Sequence, residues 1–504
     1  MSEQVATMAS SMPAWAFLVP FAAGVLAFFG RWLGARLTQF LAVAAPLIVT
    51  LLGLEMARRV VDGAVLTGWG NELRVDGLSV LLVLTIGIVG TLTALYSVRY
   101  VKQPGLLTRV GAAAAQRLPT FYGLFLWFIA TMVWGCVTNN IVMLYVAVEA
   151  TTLTSGLLVA FHWDKRALEA GYKYLMILTI GITFALFGCV LTYAAAAATN
   201  RLTGGQALLI SEVRGVAHLI PPATALIAVA FLVVGFGTKA GIAPFHPWLP
   251  DAHAEAPTPI SVLLSAVMIK MAVYALARTV SIFYPRWPTL AVFVVALGVF
   301  TMVLGIVMAL AQDDLKRLLA YSSVSQIGYV VVGIGLGTYL GCYGGLFHLL
   351  NHALIKALLF MCVGALTYAT GTRRISELSG MRDRMPITSA CFVIGTLAIA
   401  GLPPFNGFLS KLTIYLALAQ AGMWWALAIA IAAGLLTMVV LLRVARTVFW
   451  GHAPATAVAA REVPATMWGP MVVLAVACVV LGVFPRLTFP LLDRAANVLA
   501  TLGR

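Results

Sequence analysis

Lysine residues inside long apolar segments are the feature of this sequence that could most directly do chemistry. Five of the eight lysines lie in such segments: Lys173, Lys239, Lys270, Lys356 and Lys411. A cation near the centre of a bilayer costs about 2.5–3.5 kcal/mol. Arginine keeps its proton in essentially any protein site, whereas a buried lysine amine can release one. These lysines are therefore candidate proton carriers. Snorkelling of the ammonium group to the membrane surface is the alternative, and it is favoured for Lys173, nearest a helix start.

One carboxylate also lies deep in an apolar run. Glu149 stands in the sequence Met-Leu-Tyr-Val-Ala-Val-Glu-Ala-Thr-Thr-Leu-Thr. Buried alone, it is expected to be neutral; beside a lysine, it is expected to be charged and to favour the protonated amine. A carboxylate that approaches or leaves a lysine is thus a switch for protonation. A static buried salt bridge is the alternative.

His348, His352 and Lys356 follow one another at intervals of four residues. This spacing places them on one face of a helix, one turn apart. Histidine titrates near neutrality and can relay a proton through either ring nitrogen. Two histidines spaced in this way can also bind zinc, but no neighbouring acid or cysteine completes a metal shell, so no metal site is expected. Simple packing is a further alternative.

Two other groups of polar residues are weaker candidates for the same chemistry. His246, Asp251 and His253 lie near a proline-rich interruption, where they could form a proton uptake route or a solvated turn. Ser322 and Ser325 lie in the tenth apolar segment. Hydroxyl groups can hold a chain of water molecules, but they also pack membrane helices against one another, and both interpretations stay open.

The composition shows which elements must position these residues. Hydrophobic residues make up 62% and charged residues 10% of 504 residues, against about 45–50% and 25% in soluble proteins. A large soluble enzyme is therefore excluded. The net charge of +15 is ascribed to basic residues at membrane edges and not to nucleic-acid binding. We predict an all-α, polytopic membrane protein with about fourteen spans, roughly 13–30, 37–57, 76–98, 118–137, 140–161, 167–196, 223–249, 258–281, 287–311, 317–336, 339–370, 386–420, 423–449 and 467–491.

Two of these segments are interrupted by glycine and proline, near 237–250 and near 400–411. Because proline removes a hydrogen-bond donor and clashes with the preceding turn, both helices should break there. Paired interruptions in two halves of a membrane protein indicate inverted repeats with sites at the breaks. We predict four parts, namely an N-terminal three-helix segment at 1–117, five-helix repeats at 118–283 and 284–450, and a C-terminal helix at 451–504.

The remaining sequence features concern cysteines and orientation. All six cysteines lie in apolar runs without a CxxC pair, so we expect buried packing residues and no iron–sulfur or zinc site. The first apolar run follows Met-Ser-Glu without a basic region, which favours a membrane helix over a signal peptide. Basic residues are more numerous in one set of loops, which predicts that both termini lie on the outer side.

Three motifs together carry a resemblance to a known family. They are Gly-Thr-Lys-Ala-Gly-Ile-Ala-Pro-Phe-His-Pro-Trp-Leu-Pro-Asp-Ala-His from Gly237, Asp-Asp-Leu-Lys-Arg-Leu-Leu-Ala-Tyr-Ser-Ser-Val-Ser-Gln-Ile-Gly from Asp313, and Asn-His-Ala-Leu-Ile-Lys-Ala from Asn351. The region from about 70 to 450 resembles the antiporter-like membrane subunits of respiratory complex I, Mrp-type cation/proton antiporters and energy-converting group 4 hydrogenases. The stretch 139–191 is most similar to the hydrogenase-4 F-type subunit.

The resemblance implies a fold of fourteen helices with two inverted five-helix repeats. It implies that Glu149 pairs with Lys239, and that a horizontal polar line carries protons along the membrane midplane. Its implied members are Glu149, Lys239, Lys270, His348, His352, Lys356 and Lys411. The sequence departs from the pattern of some family members at two positions. Hydrogenase-type relatives lack a lysine at the position of Lys270, and some complex I relatives have glutamate at the position of Lys411.

The resemblance also implies a setting for the chain. The subunit is expected to have no cofactor or redox centre of its own and to belong to an ion-translocating oxidoreductase, hydrogenase-like or NADH:quinone-like. Its expected partners are other membrane subunits and a peripheral redox or zinc-containing module, in the plasma (inner) membrane of a prokaryote. The alternatives are an Mrp-type antiporter subunit exchanging Na⁺ for protons, a passive scaffold for a redox enzyme, and a membrane partner in inorganic-carbon uptake.

Overall fold

The computed structural model describes residues 6–101, 114–285, 287–452 and 460–500. Four basic residues that contributed to the loop comparison, Lys102, Arg109, Arg286 and Arg504, lie outside these ranges. The long helices are α1 Met12–Phe28, α2 Ala35–Val61, α3 Gly77–Tyr100, α4 Ala114–Val137, α5 Ile141–Val159, α6 Lys165–Ala197, α7a Pro222–Ala240, α7b Trp248–Glu255, α8 Thr258–Val280, α9 Thr289–Leu310, α10 Leu315–Gly335, α11 Tyr339–Thr370, α12a Pro386–Ala400, α12b Asn406–Gln420, α13 Trp424–Phe449, α14 Ala465–Val483 and α15 Phe489–Leu499.

Within the described ranges, twelve helices are long and apolar enough to cross a membrane. Helix α1 and the pair α12a–α12b supply two further apolar segments that fall below that length. Together they account for the predicted number of about fourteen crossings. The fold class predicted from composition is confirmed.

Polar side chains set the starts of several helices. Asp76, Asn140 and Asp314 each accept hydrogen bonds from two backbone N–H groups in the first turn of α3, α5 and α10, respectively. Asp164 caps α6 and Thr338 caps α11 in the same way with one bond each. The first N–H groups of a helix have no partner within it, so a short side-chain acceptor fixes where the helix begins.

The two predicted breaks are present and share one design. Helix α7a ends at Gly241 with φ +73°, and α12a ends at Gly401 with φ +83°. Glycine adopts this left-handed conformation without the cost that a Cβ atom imposes. Prolines follow at Pro244 and Pro403, so neither helix can continue. The chain resumes as α7b and α12b.

The breaks occupy equivalent positions in two five-helix sets, α4–α8 and α9–α13, in each of which the fourth helix is interrupted. An odd number of crossings separates the sets, so they run through the membrane in opposite directions, as an inverted repeat requires. Helices α8, α10 and α11 are almost completely buried, whereas fewer than half of the residues are buried in the most apolar stretches of α2, α6, α13 and α14. The centre of the molecule is thus α8, α10 and α11. The exact domain boundaries stay a prediction.

Two features at one membrane face were not predicted. Strands β1 Thr7–Ala9, β2 Val65–Gly68 and β3 Leu73–Val75 form a small sheet in which β1–β2 is parallel and β2–β3 antiparallel. The last predicted span, 467–491, is two helices, because Phe484 precedes a proline and leaves the helical conformation. Helix α15 then packs against α3 and α11.

Candidate proton-transfer site

Lys239 lies in the last turn of α7a and is buried. Its ammonium group donates a hydrogen bond to the Thr152 hydroxyl at 2.9 Å and to the Tyr174 hydroxyl at 3.5 Å. The Tyr174 hydroxyl also contacts the Ser155 hydroxyl at 2.5 Å and the Met268 sulfur at 3.3 Å. The Lys239 amine therefore joins α7a to α5 and α6, and the Tyr174 phenol joins α6 to α5 and α8.

Glu149 is half-buried on α5, one turn before Thr152. Its Oε1 accepts a hydrogen bond from the Thr179 hydroxyl at 3.2 Å, and its Oε2 has no partner among the described residues. Neither oxygen bonds to the Lys239 ammonium. The pair implied by the resemblance therefore does not form a direct ion pair; the ammonium bonds instead to Thr152, one turn beyond Glu149 on α5.

Lys270 is completely buried in α8, just after a turn of π-helix at Leu264–Met268. A π-turn leaves a backbone carbonyl without its usual helical partner, and such turns are frequent at functional sites. The Lys270 ammonium donates to the Ser265 carbonyl at 2.5 Å. The Ser265 hydroxyl in turn contacts the Ser323 hydroxyl of α10 at 2.8 Å.

Lys356 of α11 approaches the same stretch of α10 from the other side. Its ammonium group donates to the Leu319 carbonyl at 2.8 Å and to the Ser322 hydroxyl. The Ser323 hydroxyl also bonds to the Leu319 carbonyl, at 2.8 Å. Lys270 and Lys356 thus both bond to one group of polar atoms at the contact of α8, α10 and α11, which comprises the carbonyl and hydroxyl of Ser265, the Ser323 hydroxyl and the Leu319 carbonyl.

The two histidines of α11 lie beyond Lys356 and are both buried. The His348 ring bonds to the Ser410 hydroxyl at 3.0 Å and to the Gln326 side chain at 3.1 Å. Its ring is nearly parallel to that of His352, with 6.0 Å between centroids. Both nitrogens of His352 lack a partner among the described residues. Buried polar groups are normally hydrogen-bonded, so this position is suited to an internal water molecule.

Lys411, in α12b, is buried and folds back onto the end of α12a. Its ammonium group donates to the carbonyls of Ile399 and Ala400 at 2.7 and 3.4 Å. These carbonyls form the negative end of the helix dipole, which favours a cation by about 0.3–1 kcal/mol, or ~2 kcal/mol when partly buried. Lys239 differs in position, because it belongs to the last turn of α7a itself, but it too lies at the C-terminal end of a broken helix. Each break thus creates a carbonyl-rich helix end that offsets part of the cost of burying an ammonium group.

We call these buried groups the basic row; its members are Lys239 of α7a, Lys270 of α8, Lys356, His352 and His348 of α11, and Lys411 of α12b. The four lysine ammonium groups bond to internal acceptors and do not reach the surface. Lys173 differs, because it is exposed and forms an ion pair with Glu169 at 2.7 Å. Lys173 is therefore separate from the basic row.

The weaker candidates are divided between the interior and a charged membrane face. Asp251 forms an ion pair with Arg317 at 2.8 Å. His253 is completely buried, stacks on Phe360, and has no partner at either nitrogen among the described residues. His246 is nearly buried. Of the α10 hydroxyls, that of Ser322 contacts Lys356, whereas that of Ser325 has no partner in the described part of the chain.

Sequence reasoning missed a second charged cluster. Arg278 lies inside the predicted span 258–281, in the last turn of α8, and its side chain is only 14% exposed. It forms an ion pair with Asp76 at 2.5 Å and bonds to the Ser79 hydroxyl at 2.9 Å. The Ser79 hydroxyl contacts the Tyr274 hydroxyl at 3.2 Å, and the latter donates to the Cys136 carbonyl at 2.8 Å. The sequence contained one signal that could have revealed this cluster, namely the recurrence every four residues of Lys270, Tyr274 and Arg278.

Residues 138–437 match the family described as NADH:quinone oxidoreductase/Mrp antiporter, TM. That segment is more than half of the chain and includes Glu149 and the entire basic row. The chain belongs to this family. It is an antiporter-like, proton-translocating membrane subunit that crosses the membrane many times, as the three sequence motifs predicted.

Individual members of the family align over most of the chain. NADH-quinone oxidoreductase subunit N of Desulforudis audaxviator is 34% identical over 488 residues, which are 92% of this chain and 91% of that protein. The hydrogenase-4 component F homologue of Methylacidiphilum infernorum is 33% identical over 73% of this chain and 76% of its own length. A chain of the archaeal membrane-bound sulfane sulfur reductase has the same fold, with a TM-score of 0.86 and 28% identity over 97% of this chain and 98% of that one.

Glu149, the basic row and the hydroxyl groups in contact with them together provide amines, imidazoles, hydroxyls and one carboxylate. Within the described residues, no group of three or more His, Cys, Asp or Glu side chains is placed to hold a metal ion. All six cysteines are buried and unpaired, as predicted. The arrangement is suited to moving protons between nitrogen and oxygen atoms.

Proposed function

We propose that protons cross the membrane by moving along Glu149 and the basic row. The observation that carries this proposal is that the buried Lys270 and Lys356 ammonium groups bond to the same group of neutral polar atoms, in which the Ser265 and Ser323 hydroxyls contact each other and the Leu319 carbonyl accepts from Ser323 and Lys356. Amines held by neutral acceptors can lose and regain a proton, which arginine cannot. Six such groups in succession are more than packing requires, because each buried charge costs free energy.

In this mechanism Glu149 favours the protonated form of Lys239 through Thr152. Movement of the carboxylate away from Thr152 weakens that preference, and the Lys239 proton passes towards Lys270. The proton then moves to Lys356, through the two histidines to Lys411, and out of the membrane. Lys239 is reprotonated from the opposite side. Water molecules bridge the positions at which side chains do not touch, His352 above all.

Transport in proteoliposomes tests this proposal. Lys239→Met and Glu149→Gln should each abolish driven proton transport while leaving assembly intact. Lys173→Met is the matched control, because it removes an exposed lysine from another membrane helix, and its transport should equal that of the natural protein. Persistence of transport in both relay variants would favour the scaffold function.

Cation/proton exchange of the Mrp type is the second candidate function. The family description includes Mrp antiporters, and the Glu149 carboxylate has the hydroxyls of Thr152 and Thr179 nearby as additional oxygen ligands for a cation. Proton flux measured with and without Na⁺ separates the two. Flux that requires Na⁺ would assign exchange, and flux independent of Na⁺ would assign proton pumping.

We infer that the subunit works within a multisubunit complex in a prokaryotic plasma membrane, with both termini on the outer side. The named relatives support this setting, since they include an NADH-quinone oxidoreductase subunit and a component homologous to hydrogenase-4. Co-purification of the subunit with its partners identifies the complex to which it belongs. A nickel–iron hydrogenase, a flavin NADH module, Mrp-like subunits or a zinc protein would each indicate a different driving reaction. Accessibility of tags at the termini tests the orientation.

A further inference from the structure

The cluster around Arg278 lies on the same face of α8 as Lys270. Lys270, Tyr274 and Arg278 are spaced by four residues, so their side chains succeed one another by one helical turn each. The face leads from the basic row to the membrane face at which α8 ends and α3 begins. Lys270, Tyr274 and the Ser79 hydroxyl next to them are groups that can take part in proton transfer.

The end of this path at the membrane face is occupied by the Arg278 guanidinium, which does not take part in proton transfer. The Arg278 guanidinium bonds to the Ser79 hydroxyl at 2.9 Å and to Asp76 at 2.5 Å, and it lies 5.1 Å from the centre of the Tyr274 ring. A guanidinium keeps its charge in essentially any site, so it cannot accept the next proton. A fixed positive charge beside a narrow path also repels protons and other cations.

The same membrane face is closed by close backbone packing. Asp76 caps α3 through the N–H groups of Leu78 and Ser79. At the next residue, Gly77, a Cβ atom would lie only 2.6 Å from backbone atoms of Arg494 and Ala495 in α15. The charged pair is thus held between α3 and α8 with α15 packed against it, and it is placed where a path from Lys270 would leave the protein.

We propose that the Arg278 guanidinium is an electrostatic barrier that prevents protons from passing between the basic row and the membrane face at which α3 begins. The inference rests on the proposed function, since a barrier is needed only beside a path that carries protons. Asp76 positions the guanidinium and balances its charge. The barrier directs protons along the row from Lys270 to Lys356 and prevents an uncoupled leak through Tyr274 and Ser79.

The test measures passive proton leak in proteoliposomes holding the full chain, under a potassium diffusion potential and with a pH-sensitive dye inside. Asp76→Asn removes the counter-charge but keeps the cation, which the asparagine carbonyl oxygen and the Ser79 hydroxyl can still hold, so leak should be no faster than in the natural protein. Asp76→Asn combined with Arg278→Gln breaks the same pair and removes the cation without leaving an unpaired carboxylate. The double variant should leak about tenfold faster or more, since the repulsion between nearby charges is lost. Adding Tyr274→Phe to it should reduce the leak again.

Each outcome decides for or against the barrier. Equal leak in the Asp76→Asn variant and the double variant would mean that the ion pair seals the face by packing, and no increase in the double variant would mean that no path ends at Arg278. Elution profiles and thermal stability of the two variants in detergent show that they are equally well folded. No driving reaction is used, so a failure of the barrier is distinct from a failure of the relay, which Lys239→Met reports in the driven assay.

Discussion

The Lys239 ammonium bonds to a threonine and not to the Glu149 carboxylate. The ammonium bonds to the Thr152 hydroxyl, one turn beyond Glu149 on the same helix. A direct ion pair inside a membrane would be difficult to separate, because both charges would lose their partner at once. With the ammonium held by a hydroxyl, the carboxylate one turn away can approach or leave it without breaking an ion pair, which suits the proposed switch.

Thr152→Val should therefore reduce driven proton transport without preventing assembly. The substitution keeps the shape but removes the hydrogen bond to a charged group, worth about 1.5–3 kcal/mol, so a loss of roughly ten- to a hundredfold is expected. Thr154→Val is the control, because the Thr154 hydroxyl bonds to backbone carbonyls of its own helix. Initial rates in proteoliposomes measure both. Equal rates for the two variants would contradict the role given to Thr152.

The contact between the Ser265 and Ser323 hydroxyls gives a second prediction. Ser265→Ala keeps the carbonyl that holds the Lys270 ammonium but removes the bond to α10. We expect driven transport to fall by about tenfold, since one hydrogen bond of roughly 1 kcal/mol and one position for proton transfer are lost. Ser97→Ala, at a buried serine of α3, should leave the rate unchanged. Transport as fast as in the natural protein would exclude this link from the path.

The break in α12 can be tested at Gly401, where φ is +83° and a Cβ atom would lie 3.0 Å from Cδ of Lys411. Gly401→Ala should destabilise the protein by about 1–2 kcal/mol and also displace the lysine, so that transport falls. Gly371→Ala is the matched control, because φ is +76° and nothing lies within 4 Å of the added atom. The two variants should lose similar thermal stability, but only Gly401→Ala should lose transport. Full transport in Gly401→Ala would mean that the position of Lys411 is not critical.

The ion pair between Asp76 and Arg278 should make stability depend on pH. Burial alone would raise the pKa of the Asp76 carboxyl, but the Arg278 guanidinium and the Ser79 backbone N–H lower it below its ordinary value. A lowered pKa stabilises the folded state above the ordinary value, and the stabilisation is lost as the pH falls through the folded-state pKa.

Asp76→Asn should consequently lower thermal stability in detergent at neutral pH, by an amount on the order of 3 kcal/mol for a broken buried pair. The difference from the natural protein should shrink in acid, where the natural carboxyl also loses its charge. Melting curves at several pH values measure this. A stability difference that does not change with pH would show that the charge of Asp76 contributes little.

Much of the site could be predicted from the sequence because the bilayer makes rare residues conspicuous. A lysine in an apolar span has few reasons to be there, so Lys239, Lys270, Lys356 and Lys411 were found without any knowledge of the fold. The glycine–proline breaks were predicted for a similar reason, since their backbone constraints are local.

Arg278 was missed because its partner Asp76 is 202 residues away in the chain, and the sequence of the predicted span 258–281 does not show which helix packs beside it. The role of Thr152 was missed because threonine is common in membrane helices, and only its distance from Lys239 distinguishes it from Thr154. Strand pairing of β1 with β2 joins segments far apart in the chain, so short strands of this kind have no local signal.

The sequence by itself determined the class of protein, the breaks at Gly241 and Gly401, and the identity of the buried bases, because side-chain chemistry and backbone constraints are local properties. Only the tertiary structure decided which groups contact one another. Hydrogen bonds between Lys239 and Thr152, or between Arg278 and Asp76, depend on how separate helices rotate and pack. The distances between these side chains are therefore set by the whole fold.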